Sequence, residues 1–409
     1  MRERHRILLL ANNFPPIVGG SAVVYGYLAA HSQGEITVMA PRLNYADGLP
    51  IIGWREHDRH AGYPVLRPRQ LRTQMSPDAP QGRWSRLRRT FDDLLGRLML
   101  LPQILLAIPT CRIGTVCFGE ALHSRWIIRC LRYLAPVRTA IYVHGEELLI
   151  DDDYDPGHRR IRAALIDADL IFAVSGFTHD AIVRLIGEAN RGKIVRNENG
   201  VDTSRFRPLG RRGDLVDRYR LDGCFVFVAV CRLIEKKGID IALHAFARVA
   251  ARHPECRLLI VGRGPQETAL RALAAGLGVA GQVVFAGGVP DDELAAHYCL
   301  GDVFVMPNRT LANGDTEGFG LVFLEANACG LPAIGGQDGG TASAITDGEN
   351  GFRVDSHHIA PVAEAMLRLR EDDALRADMG AKGRLAAGRA DWRSKAAIFV
   401  HACQAGTGR

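Results

Sequence analysis

The sequence predicts an α/β protein of two doubly wound domains, each a parallel sheet with helices on both faces. Short apolar runs alternate with amphipathic stretches, and the whole alternation occurs twice along the chain. The 409 residues exceed what one ordinary core fills, so two domains of about 200 residues are expected. The 44 glycines suit many strand-to-helix turns and close approaches of backbone to a ligand.

In the first half, strands are expected at Ile7–Ala11, Ile36–Ala40, Thr115–Phe118, Thr139–Val143, Leu170–Val174 and Lys193–Val195. Helical spacing fills the gaps, as at Ser21–His31 and Phe177–Ile186. The second half repeats the scheme with strands Phe225–Val230, Arg257–Val261, Val283–Phe285 and Val303–Met306. Helices are expected between them at Ile239–Arg252, Glu267–Ala275 and Glu293–Leu300. Turn and breaker residues from Asn199-Gly200 through Pro208, Gly210 and Gly213 mark the division. The expected domains are 1–205, joined by a crossing helix within 390–409, and 206–389. After Phe352 the pattern is purely helical through Leu369, Met379 and Trp392 to Gln404, and such a terminal run can brace the first domain.

Between Arg83 and Leu98 the apolar positions Trp84, Leu87, Phe91, Leu94, Leu95 and Leu98 recur at helical spacing. Arg83, Arg86, Arg88, Arg89 and Arg97 occupy the other face. The segment reads either as a surface helix docked on the core or as a peripheral contact with an anionic membrane. The apolar stretch Leu98–Pro109 falls short of the ~20 residues a spanning helix needs, and Ile7–Ala11 reads as a buried strand rather than a signal-peptide core. A net charge of +6 allows anionic substrates without demanding nucleic acid, which is not expected as a partner. Nine scattered cysteines with no C-x-x-C pair fit buried thiols in a reducing cytoplasm.

Three strand exits carry chemistry. At the first, Gly19-Gly20 opens a helix whose free amides and partial positive charge favour phosphate, and Pro15-Pro16 stiffens the approach. At the second, Arg232 follows the apolar run Phe225–Cys231 and Lys237 comes five residues later. Two cations at the carboxyl edge of a strand can grip both phosphates of a diphosphate. The third is the sharpest, Asp315-Thr-Glu317-Gly318-Phe319-Gly320-Leu321 running on to Glu325. Gly-Phe-Gly opens a helix, so Glu317 lies in the loop before it and Glu325 about two turns in, on the order of 10 Å away. That is about the reach from a nucleotide's ribose to its attached sugar. The amides of Gly318, Phe319 and Gly320 lie between them to meet hydroxyls or phosphate. Leu321, Val322, Phe323 and Leu324 make the helix a buried one, so Glu325 needs a partner.

Three further segments are weaker. Val261-Gly262-Arg263-Gly264 is an incomplete dinucleotide fingerprint and reads as a tight turn, able to line a base pocket through its backbone. His144 ends another strand at the carboxyl edge, where structural and functional roles are equally open. The acidic run Asp151-Asp-Asp-Tyr-Asp155 reads as a solvated loop rather than a metal site.

Together these residues resemble glycosyltransferase family 4, the retaining enzymes of the GT-B fold. The resemblance spans almost the whole chain: Pro15-Pro16 with Gly19-Gly20, His144-Gly145, Asn199-Gly200-Val201-Asp202 with Phe206 and Pro208, Arg232 with Lys237, Val261-Gly262, Gly287 to Val289, the Glu317 and Glu325 pair, and Trp392. Asn308-Arg309 and the insertion before Asp315-Thr316 are similar to the subset with bacterial cell-envelope sugar transferases such as phosphatidylinositol mannosyltransferases.

The resemblance implies two Rossmann-like domains facing across a cleft, with a UDP- or GDP-sugar donor and a saccharide or glycolipid acceptor. Arg232 and Lys237 would hold the diphosphate, Glu325 the ribose and Glu317 the donor sugar. Gly19 and Gly20 would close over the phosphates, His144 would lie beside the reacting carbon, and Val289 with the Gly262 turn would contact the base. No metal and no cofactor are implied, and the place is cytoplasmic, or peripheral on the inner face of the membrane. Two features depart from the family or lie outside its donor site: Asn197-Glu198-Asn199 replaces the usual Pro-Asn, and the Arg-rich stretch Tyr63–Leu105 is left for the acceptor. The competing readings are a nucleotide-sugar epimerase of the same fold and a catalytically silent GT-B binding module.

Overall fold

The computed structural model describes residues 5–72, 83–149 and 155–405, with the side chains of residues 83–95, 97 and 156 outside that description. The chain forms two compact units. The first runs to Val174, takes in Thr178–Asn197 and is rejoined from Trp392 onward; the second holds Ser175–Phe177 and Glu198–Asp391.

The first unit is a seven-stranded parallel sheet of β1 (Arg6–Leu10), β2 (Ile36–Met39), β3 (Val65–Leu66), β4 (Ile113–Phe118), β5 (Arg138–Val143), β6 (Leu170–Ala173) and β7 (Ile194–Arg196). The largely buried runs of β1, β2, β4, β5 and β6 are what a helix-covered parallel sheet selects, while β3 and β7 lie at its half-buried edges. The order β3-β2-β1-β4-β5-β6-β7 means that the chain winds outward from β1, then returns to its other side for β4. Ile7 to Leu10 pair with Thr115 to Phe118 there, and Leu10 and Phe118 stand together at the carboxyl edge. Such a reversal opens a crevice in which doubly wound sheets bind ligands. The helix Trp392–Gln404 packs on this same unit. Trp392 stacks on Tyr27 at 5.3 Å, Phe399 meets Phe172 at 4.7 Å, and the Cys403 carbonyl accepts from Thr115 at 2.8 Å.

The second unit is a six-stranded parallel sheet of β8 (Phe225–Val230), β9 (Cys256–Val261), β10 (Val283–Gly287), β11 (Val303–Met306), β12 (Ala333–Gly336) and β13 (Gly351–Val354). Its order, β10-β9-β8-β11-β12-β13, places the reversal between β8 and β11. The expectation of a purely helical chain after Phe352 is corrected here, since β13 continues to Val354 and the next helix starts at Ile359. β12 carries no strand signal because packing demands glycine: a Cβ on Gly336 would lie 1.7 Å from the Asn308 carbonyl oxygen.

The helix of the basic segment runs from Arg83 to Thr110, straight through Pro102. Leu100, Ile104 and Ala107 join the core while Leu98, Met99 and Leu106 are exposed. The side chains of Arg83, Arg86, Arg88, Arg89 and Arg97 lie outside the described residues. Among the described residues no helix is long and apolar enough to cross a membrane.

Candidate active site

In the second unit the site is built at the reversal between β8 and β11. Pairing continues past β8, with the Cys231 amide on Val261 O (3.0 Å) and the Leu233 amide on Arg263 O (2.9 Å). Strand alternation then buries Cys231 and Leu233 and turns Arg232 outward, exposed and without an ion pair among the described residues. The expected tight turn at Gly262 packs directly on this segment. A Cβ there would lie 1.9 Å from Cys231 O, and one on Gly264 2.2 Å from Leu233 O. Val289 follows β10 just beyond Gly287 and Gly288, where the Arg263 side chain lies.

One 3-10 turn, Glu235–Lys237, separates β8 from the helix Ile239–Arg252. Its two lysines clamp the acidic loop. Lys236, 2% exposed, donates to Asp315 Oδ1 at 2.8 Å and Thr316 O at 3.2 Å. Lys237 pairs with the Glu317 carboxylate. Burial pushes the Glu317 pKa upward, but Lys237 outweighs it, with Lys236 and the Phe319 amide assisting, and the carboxyl stays below its ordinary range. Lys236 was missed by sequence reasoning; the signal was a second lysine facing Asp315-Thr316, since a buried ammonium must find acceptors.

The loop is fixed from below by a glycine pair. The Gly340 amide donates to Glu317 O at 2.7 Å. A Cβ on Gly339 would lie 2.3 Å from that oxygen, and one on Gly340 1.9 Å from Gly318 O. Gly320, at φ 86°, turns the chain into the helix Leu321–Ala328, and a Cβ on it would strike the Phe323 ring. Of the three amides expected to face a ligand, that of Phe319 is turned to the Glu317 carboxylate. The helix is buried along Phe323 and Leu324, while Leu321 and Val322 are half-buried. Glu325 has the partner its setting requires: the Tyr298 hydroxyl donates to Oε2 at 2.7 Å. Burial raises its pKa against the opposing pull of Tyr298 and Arg205. The two glutamates are thus held in different states, Glu317 ionised by lysine and Glu325 made harder to ionise.

In the first unit, Gly19 and Gly20 begin the helix Gly20–Ala30 with no side-chain cap, and nothing lies within 4 Å of a Cβ on either. Packing does not require these glycines, and the first amides of a helix have no intrahelical acceptor. The same helix carries Tyr25, whose hydroxyl lies 2.7 Å from His144 Nε2. His144 follows β5, and burial lowers its pKa to about 4. The Glu147 carboxylate accepts from the amides of His144 and Gly145, both at 2.9 Å, and burial raises its pKa to about 7. At the reversal between β1 and β4, Glu120 takes hydrogen bonds from Asn12 and Arg72 and contacts His123 Nδ1 at 2.8 Å. Burial pushes Glu120 up, but His123 and Arg72 prevail and hold it at about 2. This cluster too was missed, because its members are scattered through the sequence and only the sheet order assembles them.

His144 and Glu147 have opposed effects on stability. The histidine falls from 6.5 to about 4 on folding, so the unfolded chain binds more protons in that window and stability is lost on acidification. The glutamate rises from 4.5 to about 7, so the folded chain binds more and stability is gained on acidification. The two nearly cancel between pH 4.5 and 6.5. Glu147→Gln is expected to uncover the histidine, with on the order of 2 kcal/mol lost from pH 6.5 to 4.5. Thermal melting across that range checks it; a variant as insensitive to pH as the parent contradicts it.

Among the described residues, no group of three or more His, Cys, Asp or Glu side chains is placed to hold a metal ion. Asp155 instead caps the helix Arg159–Asp167 by accepting from the amides of Arg160 and Ile161, and Asp151–Asp153 lie outside the described residues.

Comparison with known proteins places this geometry. Residues 219–386 match the family model of glycosyl transferases group 1. The chain is 35% identical over 386 residues to the GDP-mannose-dependent alpha-(1-6)-phosphatidylinositol monomannoside mannosyltransferase of Mycobacterium tuberculosis, covering 93% of this chain and 92% of that one. The protein of that name from Mycolicibacterium smegmatis is 33% identical, with 96% of each covered. Among solved structures, Anabaena HepE in complex with UDP and glucose superposes with a TM-score of 0.73 at 19% identity, over 97% of this chain and 98% of that one.

Two parallel α/β sheets of this kind and these likenesses define a glycosyltransferase of the GT-B fold. The epimerase and silent-module readings give way to it. Within that class, the chain belongs to glycosyltransferase family 4.

Proposed function

We propose that the enzyme transfers mannose from GDP-mannose to a hydroxyl of a phosphatidylinositol-based glycolipid. The observation that carries this is similarity along nearly the full chain to relatives whose names specify that donor and that acceptor class. HepE, at 19% identity, informs the fold and not the donor.

In this reading Arg232 and Lys237 bind the diphosphate and stabilise the charge that develops as the sugar–phosphate bond breaks. Glu325 takes ribose hydroxyls and Glu317 the sugar ring. Gly19 and Gly20 offer amides to the phosphates, His144 faces the reacting carbon, and Val289 with the Gly262 turn meets the base through the backbone. The acceptor oxygen forms its bond to the anomeric carbon on the face that GDP leaves, and its proton passes to a donor phosphate oxygen. Configuration is retained and no metal is needed, because two cations and helix amides neutralise the diphosphate. The basic helix beginning at Arg83 rests on the anionic inner face of the membrane, where the lipid acceptor resides.

The test is transfer to phosphatidylinositol monomannoside in vesicles from GDP-mannose, GDP-glucose and UDP-glucose. GDP-mannose is expected to support product formation at least tenfold faster than the others, a margin of about 1.4 kcal/mol. Turnover with UDP-glucose alone would overturn the donor assignment.

A further inference from the structure

We infer that Tyr25 is a positioning residue that fixes which nitrogen of His144 carries the proton, leaving Nδ1 as a bare lone-pair acceptor for a substrate hydroxyl. The substrate half of this rests on the reading that His144 faces the reacting sugar. The tautomer half does not.

The argument is one of proton counting. Tyr25 Oη lies 3.0 Å from the Gly119 carbonyl oxygen and 2.7 Å from His144 Nε2. A hydroxyl has one proton, and a carbonyl oxygen can only accept. The tyrosine proton therefore goes to Gly119, and the 2.7 Å contact is held by Nε2–H donating into the hydroxyl lone pair. The reverse assignment sets two oxygens 3.0 Å apart with no proton between them. Burial, before all other causes, keeps the Tyr25 hydroxyl protonated far above neutrality, and burial keeps the imidazole neutral near pH 7. A neutral imidazole carries one proton, so with Nε2 occupied Nδ1 is an acceptor. No hydrogen bond to Nδ1 is present among the described residues.

The surroundings hold the ring at both ends. Glu147 fixes the backbone of His144 and Gly145 through two amides. Tyr25 and Tyr142 pack against the imidazole with centroids at 5.2 and 5.4 Å. Gly119 belongs to the device, because a Cβ there would lie 2.6 Å from Tyr25 Oη and 2.9 Å from Leu10 O. A ring so constrained accepts an O–H from a sugar and cannot donate to it. It therefore selects and aims a hydroxyl rather than supplying a proton.

The experiment is nitrogen NMR on the full chain labelled at histidine nitrogens, at pH 7, with His144→Ala to assign the signal. Nδ1 is expected at the position of an unprotonated imidazole nitrogen and Nε2 at that of a protonated one; the opposite pattern, or an averaged one, overturns the inference. Tyr25→Phe is expected to average the two signals. It should also lower kcat with GDP-mannose by about tenfold, the worth of one hydrogen bond, at unchanged KM for the donor. An unaltered pattern and rate in Tyr25→Phe overturn the positioning role. Turnover that survives His144→Ala overturns the placement of His144 while leaving the tautomer result intact.

Discussion

Lys237→Ala is expected to lower turnover by roughly a hundredfold or more, the usual cost of removing a preorganised group that meets developing charge. The effect has two parts that separate experimentally. Lys237 is the group that offsets the burial of Glu317, whose residue is 9% exposed. Without it Glu317 keeps only the help of Lys236 and the Phe319 amide, so its pKa rises and the fold loses about 2–4 kcal/mol. Adding Glu317→Gln should return much of that stability by removing the unpaired charge, yet return no activity, because the diphosphate still lacks its cation. Arg232→Ala supplies the contrast. Arg232 is exposed and makes no ion pair among the described residues, so its loss should leave stability within about 0.5 kcal/mol while turnover falls on the same scale as for Lys237. Urea unfolding and single-turnover transfer measure both quantities on each variant. Near-parental turnover in Lys237→Ala and Arg232→Ala would remove the phosphate assignment.

How much of this was legible in the sequence depends on how local each signal is. Periodicity is local, so the strands at Phe225–Val230 and Val303–Met306 and the helix at Ile239–Arg252 were readable to the residue. Ala333-Ile-Gly-Gly336 was not, because Gly336 answers a close approach of Asn308, and Gly335 one of Phe323, Thr341 and Ile345, that no local sequence pattern reveals. Within the site, the Arg232 and Lys237 spacing and the Glu317 to Glu325 spacing could be read directly. Their partners could not. Tyr298 reaches Glu325 from 27 residues away, and Gly339-Gly340 props the Glu317 loop from the exit of β12. Asn12, Arg72, Glu120 and His123 are brought together only by the reversal between β1 and β4. The sequence shows which side chains can do the chemistry; the sheet order decides which groups set their charge.

Gly238→Ala is expected to destabilise the second unit strongly at the turn that carries Lys237. Gly238 sits at φ 68° and ψ 23°, closing the turn that carries Lys237 and opening the helix Ile239–Arg252. Its amide donates to Glu235 O at 3.1 Å and its carbonyl accepts from Ala242 at 3.0 Å, so neither side of the junction can relax without losing a bond. The left-handed conformation alone costs a residue with a Cβ about 1–2 kcal/mol. The added Cβ would also lie 1.9 Å from the Pro307 carbonyl oxygen at the exit of β11, which is backbone and not a flexible side chain. Displacing it adds roughly 1–3 kcal/mol, for a total of about 2–5 kcal/mol. For a unit of this size that is a fall in Tm of about 5–15 °C. Turnover should fall with it, because the displaced turn carries Lys237 away from Glu317. Gly19→Ala is the control. Gly19 has φ 168°, which any residue adopts, and nothing lies within 4 Å of its Cβ, so its melting point should not move. Calorimetry of the two variants decides the matter. If Gly238→Ala melts with the parent, the Pro307 carbonyl does not hold the Lys237 turn in place, and the position of that lysine must be set by Glu317 alone.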